Sequence, residues 1–383
     1  MIRLSKFYIT AICAVMLMTG CGQTQETVQK EEVVSDTAET KEEPEVSEEK
    51  DAEEEVSEIE KEKEFHPIVE ENIDYLNTEG IALEPGMEIA MVAANSGTKY
   101  WNDLKAGANQ AVADLNTALG FTGKDKLTLS FDAPKNGDMI EQINIIDQFL
   151  DKASDALCVA FLDATASKTQ MQMAQNNGIK LLAFDSPDES RMTEALIATD
   201  NKAAATEAAD QLYRAIGYEG KVAIIVHNSL TQTGQDRKQA AIDHLAAKYN
   251  DKNIQFVDIV YLAQEDRSET EILDELLEKN PDLAGIICTD LQTTEMVIDY
   301  AKTMEEVNFK IVGFDSSEKI LGEIGGLLEG TVAQDPYGIG YATVVAAARS
   351  LAGMENAPSI HASHLWIDAS NLESEEAQSL LVH

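Results

Sequence analysis

Four side chains of this sequence have the types and the spacing to grip a hydroxylated small molecule: Asp185, Arg237, Asp315 and Gln334. Asp185 and Asp315 sit in matching octets, IKLLAFDS at 179–186 and FKIVGFDS at 309–316, and Gln334 ends the run GTVAQ. The two acids and the amide each follow a short apolar segment with the length of a buried strand. In an open parallel sheet, residues just beyond the carboxyl ends of the strands line the ligand crevice. A carboxylate there accepts hydrogen bonds from hydroxyls, and an amide both accepts and donates. Arg237 lies one turn into the helix predicted after 221–226, where its planar fork can hold two ligand oxygens. Two crevice carboxylates could also serve as a general acid and base. With no nucleophile or metal-ligand set beside them in the sequence, hydrogen bonding is the stronger reading.

The same rule gathers further candidates. Asn95, Tyr100 and Trp101 follow the apolar run 87–94, and an aromatic face at a crevice edge can stack on the apolar face of a sugar or other ring. Ser186 directly follows Asp185. Thr289 and Asp290 follow the apolar run that begins at 286. Glu265, after 256–261, either reaches the crevice or caps the next helix.

Holding these residues in place takes strands and helices in alternation. Apolar runs at 87–94, 127–131, 157–162, 180–184 and 195–199 alternate with helical periodicity, and the plan repeats at 221–226, 256–261, 286–289, 311–314 and 330–334. This predicts an α/β fold of two similar doubly wound parallel-sheet lobes. The chain crosses between lobes after Asp200, at Asp335-Pro336 and near 363–366. That gives a three-strand hinge, with 87–201 and 336–362 as the N-terminal lobe and 202–335 and 363–383 as the C-terminal lobe. Such a hinge lets lobes close over a ligand. In detail, residues 68–76 are expected as a helix packed on the domain. A helix opening at Gly137-Asp138 should turn Ile140, Ile143, Ile146, Phe149 and Leu150 inward. Apolar spacing after Asp315 suggests a helix of about 10 residues. Cys158 and Cys288 are expected as buried free thiols, and His361 and His364 as hinge residues.

The N-terminal residues read differently. Arg3 and Lys6 precede an apolar stretch at 7–18, which suits a signal h-region and is too short to span a bilayer. It runs into Leu17-Met18-Thr19-Gly20-Cys21, small residues before a cysteine, as in a bacterial lipoprotein cleavage box. Residues 1–21 are therefore expected as a signal peptide with Cys21 as the lipidation site, anchoring an extracytoplasmic protein to the cell membrane. Residues 22–64 hold 18 acidic residues and five lysines, a composition expected to be a disordered acidic linker. As a coil it would span roughly 35–40 Å r.m.s.. Residues 65–86 form a transitional segment. The formal charge of −40 and the lack of a basic run argue against nucleic-acid binding. No phosphate-binding glycine motif, nucleophile elbow or metal-spaced His/Cys set occurs, so no cofactor or metal is expected.

From 87 to 368 the chain resembles the periplasmic-binding-protein type I superfamily, and within it the ribose/galactose-type solute-binding proteins of ABC sugar transporters. The resemblance is carried in order by Asn95 with Tyr100-Trp101, Phe184-Asp185, Ala198-Thr199-Asp200-Asn201, Asp236-Arg237, Pro281-Asp282, Val312-Gly313-Phe314-Asp315 and Val332-Ala333-Gln334. It implies a monomeric binding protein, not an enzyme, that takes a sugar or other polyol between its lobes and delivers it to an ABC permease. It also implies that Asn95 and Asp185 bind hydroxyls from the first lobe, that the aromatic pair stacks, and that Arg237, Thr289 or Asp290, Asp315 and Gln334 contact the ligand from the second. Ser186 stands where ribose-type members carry Arg, Thr289-Asp290 replaces a common Asn-Asp pair, and no aromatic lies near Glu265. These departures could favour a more polar or cationic ligand. Two alternatives share much of this reading: a sensory protein presenting ligand to a membrane receptor kinase, and an extracytoplasmic hydrolase using Asp185 and Asp315.

Overall fold

The computed structural model describes residues 66–227, 229, 231–249, 253–261 and 267–381. The expected signal peptide, Cys21, the acidic linker and Glu265 lie outside these residues. A hairpin of β1 (Val69–Glu70) and β2 (Ile73–Asp74) comes first. There follow β3 (Glu88–Val92), α1 (Lys99–Leu119), β4 (Thr128–Asp132), α2 (Met139–Lys152), β5 (Ala156–Val159), α3 (Lys168–Asn176), β6 (Lys180–Phe184) and β7 (Leu196–Thr199). The second series is α4 (Asn201–Ala215), β8 (Gly220–Val226), α5 (Gln232–Tyr249), β9 (Ile254–Tyr261), α6 (Glu269–Lys279), β10 (Leu283–Cys288), α7 (Leu291–Lys302), β11 (Lys310–Phe314), α8 (Glu318–Gly322) and β12 (Leu328–Gln334). The chain ends with α9 (Pro336–Leu351), β13 (Ser359–Ala362), β14 (His364–Asp368) and α10 (Glu375–Leu381).

These strands form two six-stranded sheets, ordered β4-β3-β5-β6-β7-β13 and β9-β8-β10-β11-β12-β14. All pairs are parallel except β12 with β14. The two orders are one plan used twice, as the matching octets require. Strands buried on both faces read as continuous apolar runs, and β5 and β6 are buried almost throughout for that reason. The chain leaves the first sheet after Thr199, returns after Gln334 when α9 packs into the first core, and passes from β13 to β14 at Ser363. Helices α1 and α9 approach closely through glycines. A Cβ on Gly107 would lie 2.0 Å from the Tyr337 carbonyl oxygen, and one on Gly340 would lie 1.9 Å from that of Leu104.

Three expectations need correction. Residues 68–76 form the β1–β2 hairpin, not a helix. Glu71 and Asn72 at its tip both take left-handed φ, 52° and 65°, as a two-residue hairpin turn demands. The segment still packs on the domain, because Ile68 and Tyr75 are fully buried. In α2 the inward face is Gln142, Ile145, Ile146, Phe149 and Leu150, while Ile140 is 68% exposed. Gln142 belongs inside because its amide nitrogen donates to the carbonyls of Ala93 and Ala160 and its oxygen accepts from Leu162 N. Helix α8 is only five residues long. Gly325, at φ 77°, turns the chain, and its N–H donates to the Leu328 carbonyl at 2.9 Å. Cys158 and Cys288 are free and buried, and burial pushes both thiols up.

Candidate functional site

The carboxyl ends of both sheets face one cavity of about 430 Å³. All ten candidates line it: Asn95, Tyr100, Trp101, Asp185 and Ser186 from the first lobe, and Arg237, Thr289, Asp290, Asp315 and Gln334 from the second. In each lobe the sheet order reverses between the first and third strands, β3 and β5 or β8 and β10, and a doubly wound sheet opens its crevice at that point.

Asp185 and Asp315 both sit at left-handed φ, 57° and 69°. Each backbone N–H donates to the next strand at 2.8 Å, to Ile197 O and Val332 O respectively. This turns the side chain off the strand end and into the cavity wall, and Asp tolerates the conformation better than most residues. The Tyr100 hydroxyl donates to Asp185 Oδ1 at 2.5 Å. Burial pushes the Asp185 carboxyl up to about 6, against the pull of Tyr100 and the Arg237 guanidinium. Asp315 is held more fully, by Gln334 Nε2 on Oδ1 (2.5 Å) and Leu291 N on Oδ2 (2.7 Å). Burial raises it too, opposed by Arg237 and Gln334.

Arg237, 4% exposed, enters from the first turns of α5. Its guanidinium carbon lies 4.0 Å from the Phe314 ring centroid. Nε donates to Asn201 Oδ1 and Nη1 to the Thr289 carbonyl, both at 2.7 Å. Two of its five N–H donors are thereby used to aim the fork, and the rest of the group is available to ligand oxygens. Trp101 meets Tyr100 edge-on at 5.0 Å and Phe184 at 6.4 Å, which stiffens the aromatic wall.

Other candidates have partners inside the protein. The Thr289 hydroxyl donates to Ile225 O, and Asp290 caps α7 by accepting from Thr293 N and Oγ1. Thr233 Oγ1 lies 3.3 Å from both the Asp185 carbonyl oxygen and Ser186 Oγ, so the lobes touch across the crevice. The cavity also takes in Asn136, Met139, His227 and Thr233, which the sequence reading did not select as site residues. They too follow strand ends, so the rule that found Asp185 reaches them when extended past the first polar residue. His227 Nδ1 is buried without a hydrogen-bond partner. Among the described residues, no group of His, Cys, Asp and Glu could hold a metal ion, and no helix is long and apolar enough to cross a membrane.

Residues 89–355 match the model of the periplasmic binding protein domain. The ribose import binding protein of Bacillus subtilis (strain 168) is 25% identical over 210 residues, covering 53% of this chain and 65% of the relative, just under two thirds of its length. A solved ABC transporter solute-binding protein from Agrobacterium vitis with bound D-fucose aligns at TM-score 0.69 and 23% identity, over 77% of this chain and 99% of that one. A glucose-galactose binding protein from Geobacillus stearothermophilus aligns at 0.68 and 20%, over 75% and 99%. At these identities the likeness to the solved structures is one of fold. The matched family model takes in every strand of the two sheets except β13 and β14, together with the crevice between them, and the chain belongs to the periplasmic binding protein domain family.

Proposed function

We propose that this protein captures a small polyhydroxylated ligand, a sugar, between its lobes and hands it to an ABC importer from outside the membrane, anchored by lipid on Cys21. The observation that carries the reading is the convergence of Asp185, Arg237, Asp315 and Gln334 on one cavity with an aromatic wall. Carboxylates accept from hydroxyls, Arg237 donates to ring or hydroxyl oxygens, and Tyr100-Trp101 offers a face for the ring. Ligand contacts drawn from both lobes favour the closed form, so binding is a population shift toward closure. Delivery to an importer is supported by family membership and by the likeness to the ribose import binding protein of Bacillus subtilis. The lipid anchor rests on the N-terminal sequence, and palmitate labelling lost in Cys21→Ser checks it.

A thermal-shift screen tests the ligand, beginning with ribose, D-fucose, D-arabinose, tagatose and D-allose, the sugars of similar proteins. A ligand present at 100 times its Kd stabilises the folded state by about 2.7 kcal/mol and raises Tm accordingly. A broad sugar and polyol panel that leaves Tm unmoved would sink the reading.

A further inference from the structure

The amide of Gln334 is fixed in one orientation. One end lies 2.5 Å from Asp315 Oδ1 and the other 2.7 Å from Thr199 Oγ1. Asp315 Oδ1 accepts from Nε2, so the nitrogen faces Asp315. The oxygen then faces Thr199, whose hydroxyl is the donor. Asp315 is held in turn by Leu291 N on Oδ2 and, at its carbonyl, by Thr331 Oγ1, both at 2.7 Å. Thr199, Gln334 and Asp315 are 3%, 4% and 6% exposed. Thr199 ends β7 in the first sheet and Gln334 ends β12 in the second, and the chain changes lobe directly after each. Their hydrogen bond therefore ties two hinge strands together and continues into the cavity wall.

We infer that Thr199, which makes no part of the candidate set above, is a positioning residue: its hydroxyl holds Gln334 as a donor toward the cavity and links the hinge to Asp315. With Oε1 accepting from Thr199 and one Nε2 hydrogen on Asp315, Gln334 keeps its second Nε2 hydrogen as a donor for a ligand, beside one Oε1 lone pair. Arg237 offers only donors. The second-lobe wall formed by these two side chains is thus rich in donors and favours acceptor oxygens, while Asp185 on the first lobe favours hydroxyl donors. The ligand half of this inference rests on the proposed function, whereas the tie between Thr199 and Gln334 does not.

The test uses the full chain with Thr199→Val, which keeps the shape and removes the donor, and Thr199→Ser, which restores it. Without ligand, the Gln334 side-chain amide is followed by ¹⁵N NMR, its signals assigned by their loss in Gln334→Glu. In Thr199→Val the signals shift and their hydrogens exchange at least about tenfold faster, as expected when a buried hydrogen bond worth roughly 1.4 kcal/mol is lost. In Thr199→Ser they stay. If Thr199→Val does not fold, Thr199→Ala is read in the same way. Calorimetry with ribose, D-fucose and D-allose adds the ligand half. For a sugar that binds, Thr199→Val weakens affinity about tenfold, and Thr199→Ser stays within about threefold. Unmoved amide signals in Thr199→Val overturn the tie, and unchanged sugar affinity in that variant overturns the positioning role. A chain that binds none of the sugars removes the ligand half along with the proposed function, and the amide spectrum still decides the tie.

Discussion

Asp185 and Asp315 hold the same station on two copies of one plan, but they keep different company. Their backbones match in φ and in the hydrogen bond to the next strand. At Asp315 the neighbours close in: Gln334 and Leu291 occupy one carboxylate oxygen each, and Thr331 takes the carbonyl. At Asp185 the carboxylate has the Tyr100 hydroxyl, and the carbonyl lies near Thr233 of the opposite lobe. The octet therefore sets where the acid points, and the surrounding strands set whether it is part of the wall or a group free to exchange partners. Asp315 is the fixture and Asp185 the exchangeable acceptor.

Removing the carboxylates one at a time is the strongest way to break this contrast. Asp315→Ala strands the Gln334 amide and the Leu291 N–H in a dry site, and should lower unfolding free energy by about 3–4 kcal/mol in urea titrations. Asp185→Ala should cost only about 1 kcal/mol. Equal losses would mean that the two acids are equivalent after all. Arg237 stands between them, and Arg237→Ala should weaken a bound sugar by about 2–4 kcal/mol in calorimetry. Arg237→Lys should recover little of it, because a lysine cannot both stack on Phe314 and bridge Asn201 to the Thr289 carbonyl. Wild-type affinity in Arg237→Ala would remove this residue from the site.

Much of this contrast was legible in the sequence, and the part that was not has physical causes. The repeated octets and apolar runs gave the doubled α/β plan, because buried parallel strands advertise themselves as unbroken apolar segments. The crevice residues followed from their places at strand ends. What periodicity could not supply was partner choice. Arg237 meets Asn201 and Phe314, 36 and 77 positions away in the chain, and Thr199 meets Gln334 across the hinge. Local chemistry misled in two places. Residues 68–76 carry helix-compatible spacing, but two adjacent left-handed residues make a turn. In α2 a buried Gln142 took the inward place that hydrophobicity alone assigned to Ile140, because strand-end carbonyls at that position needed a donor.

The subtlest test of the contrast is the pH dependence of stability without ligand. Asp185 is raised from 3.8 to about 6 by burial, so between about pH 4 and 6 the native chain holds more protons than the unfolded one. Stability then falls as pH rises through that window, since it rises only where the unfolded state binds more protons. Asp335 is pushed up to about 6 as well, and the formal charge of −40 adds self-repulsion in the same direction, so the wild-type curve alone decides nothing. The difference from Asp185→Asn does decide, because Asn mimics the protonated acid at every pH. The two proteins should melt together near pH 4, and the variant should be more stable at pH 7 by about 3 kcal/mol. Tyr100→Phe, which strips the hydroxyl donor from Asp185, should steepen the wild-type fall and carry it above pH 6. Parallel curves for wild type and Asp185→Asn would mean that water already satisfies the Asp185 carboxylate, and the distinction between a fixed acid and an exchangeable one would have to be drawn from ligand contacts instead.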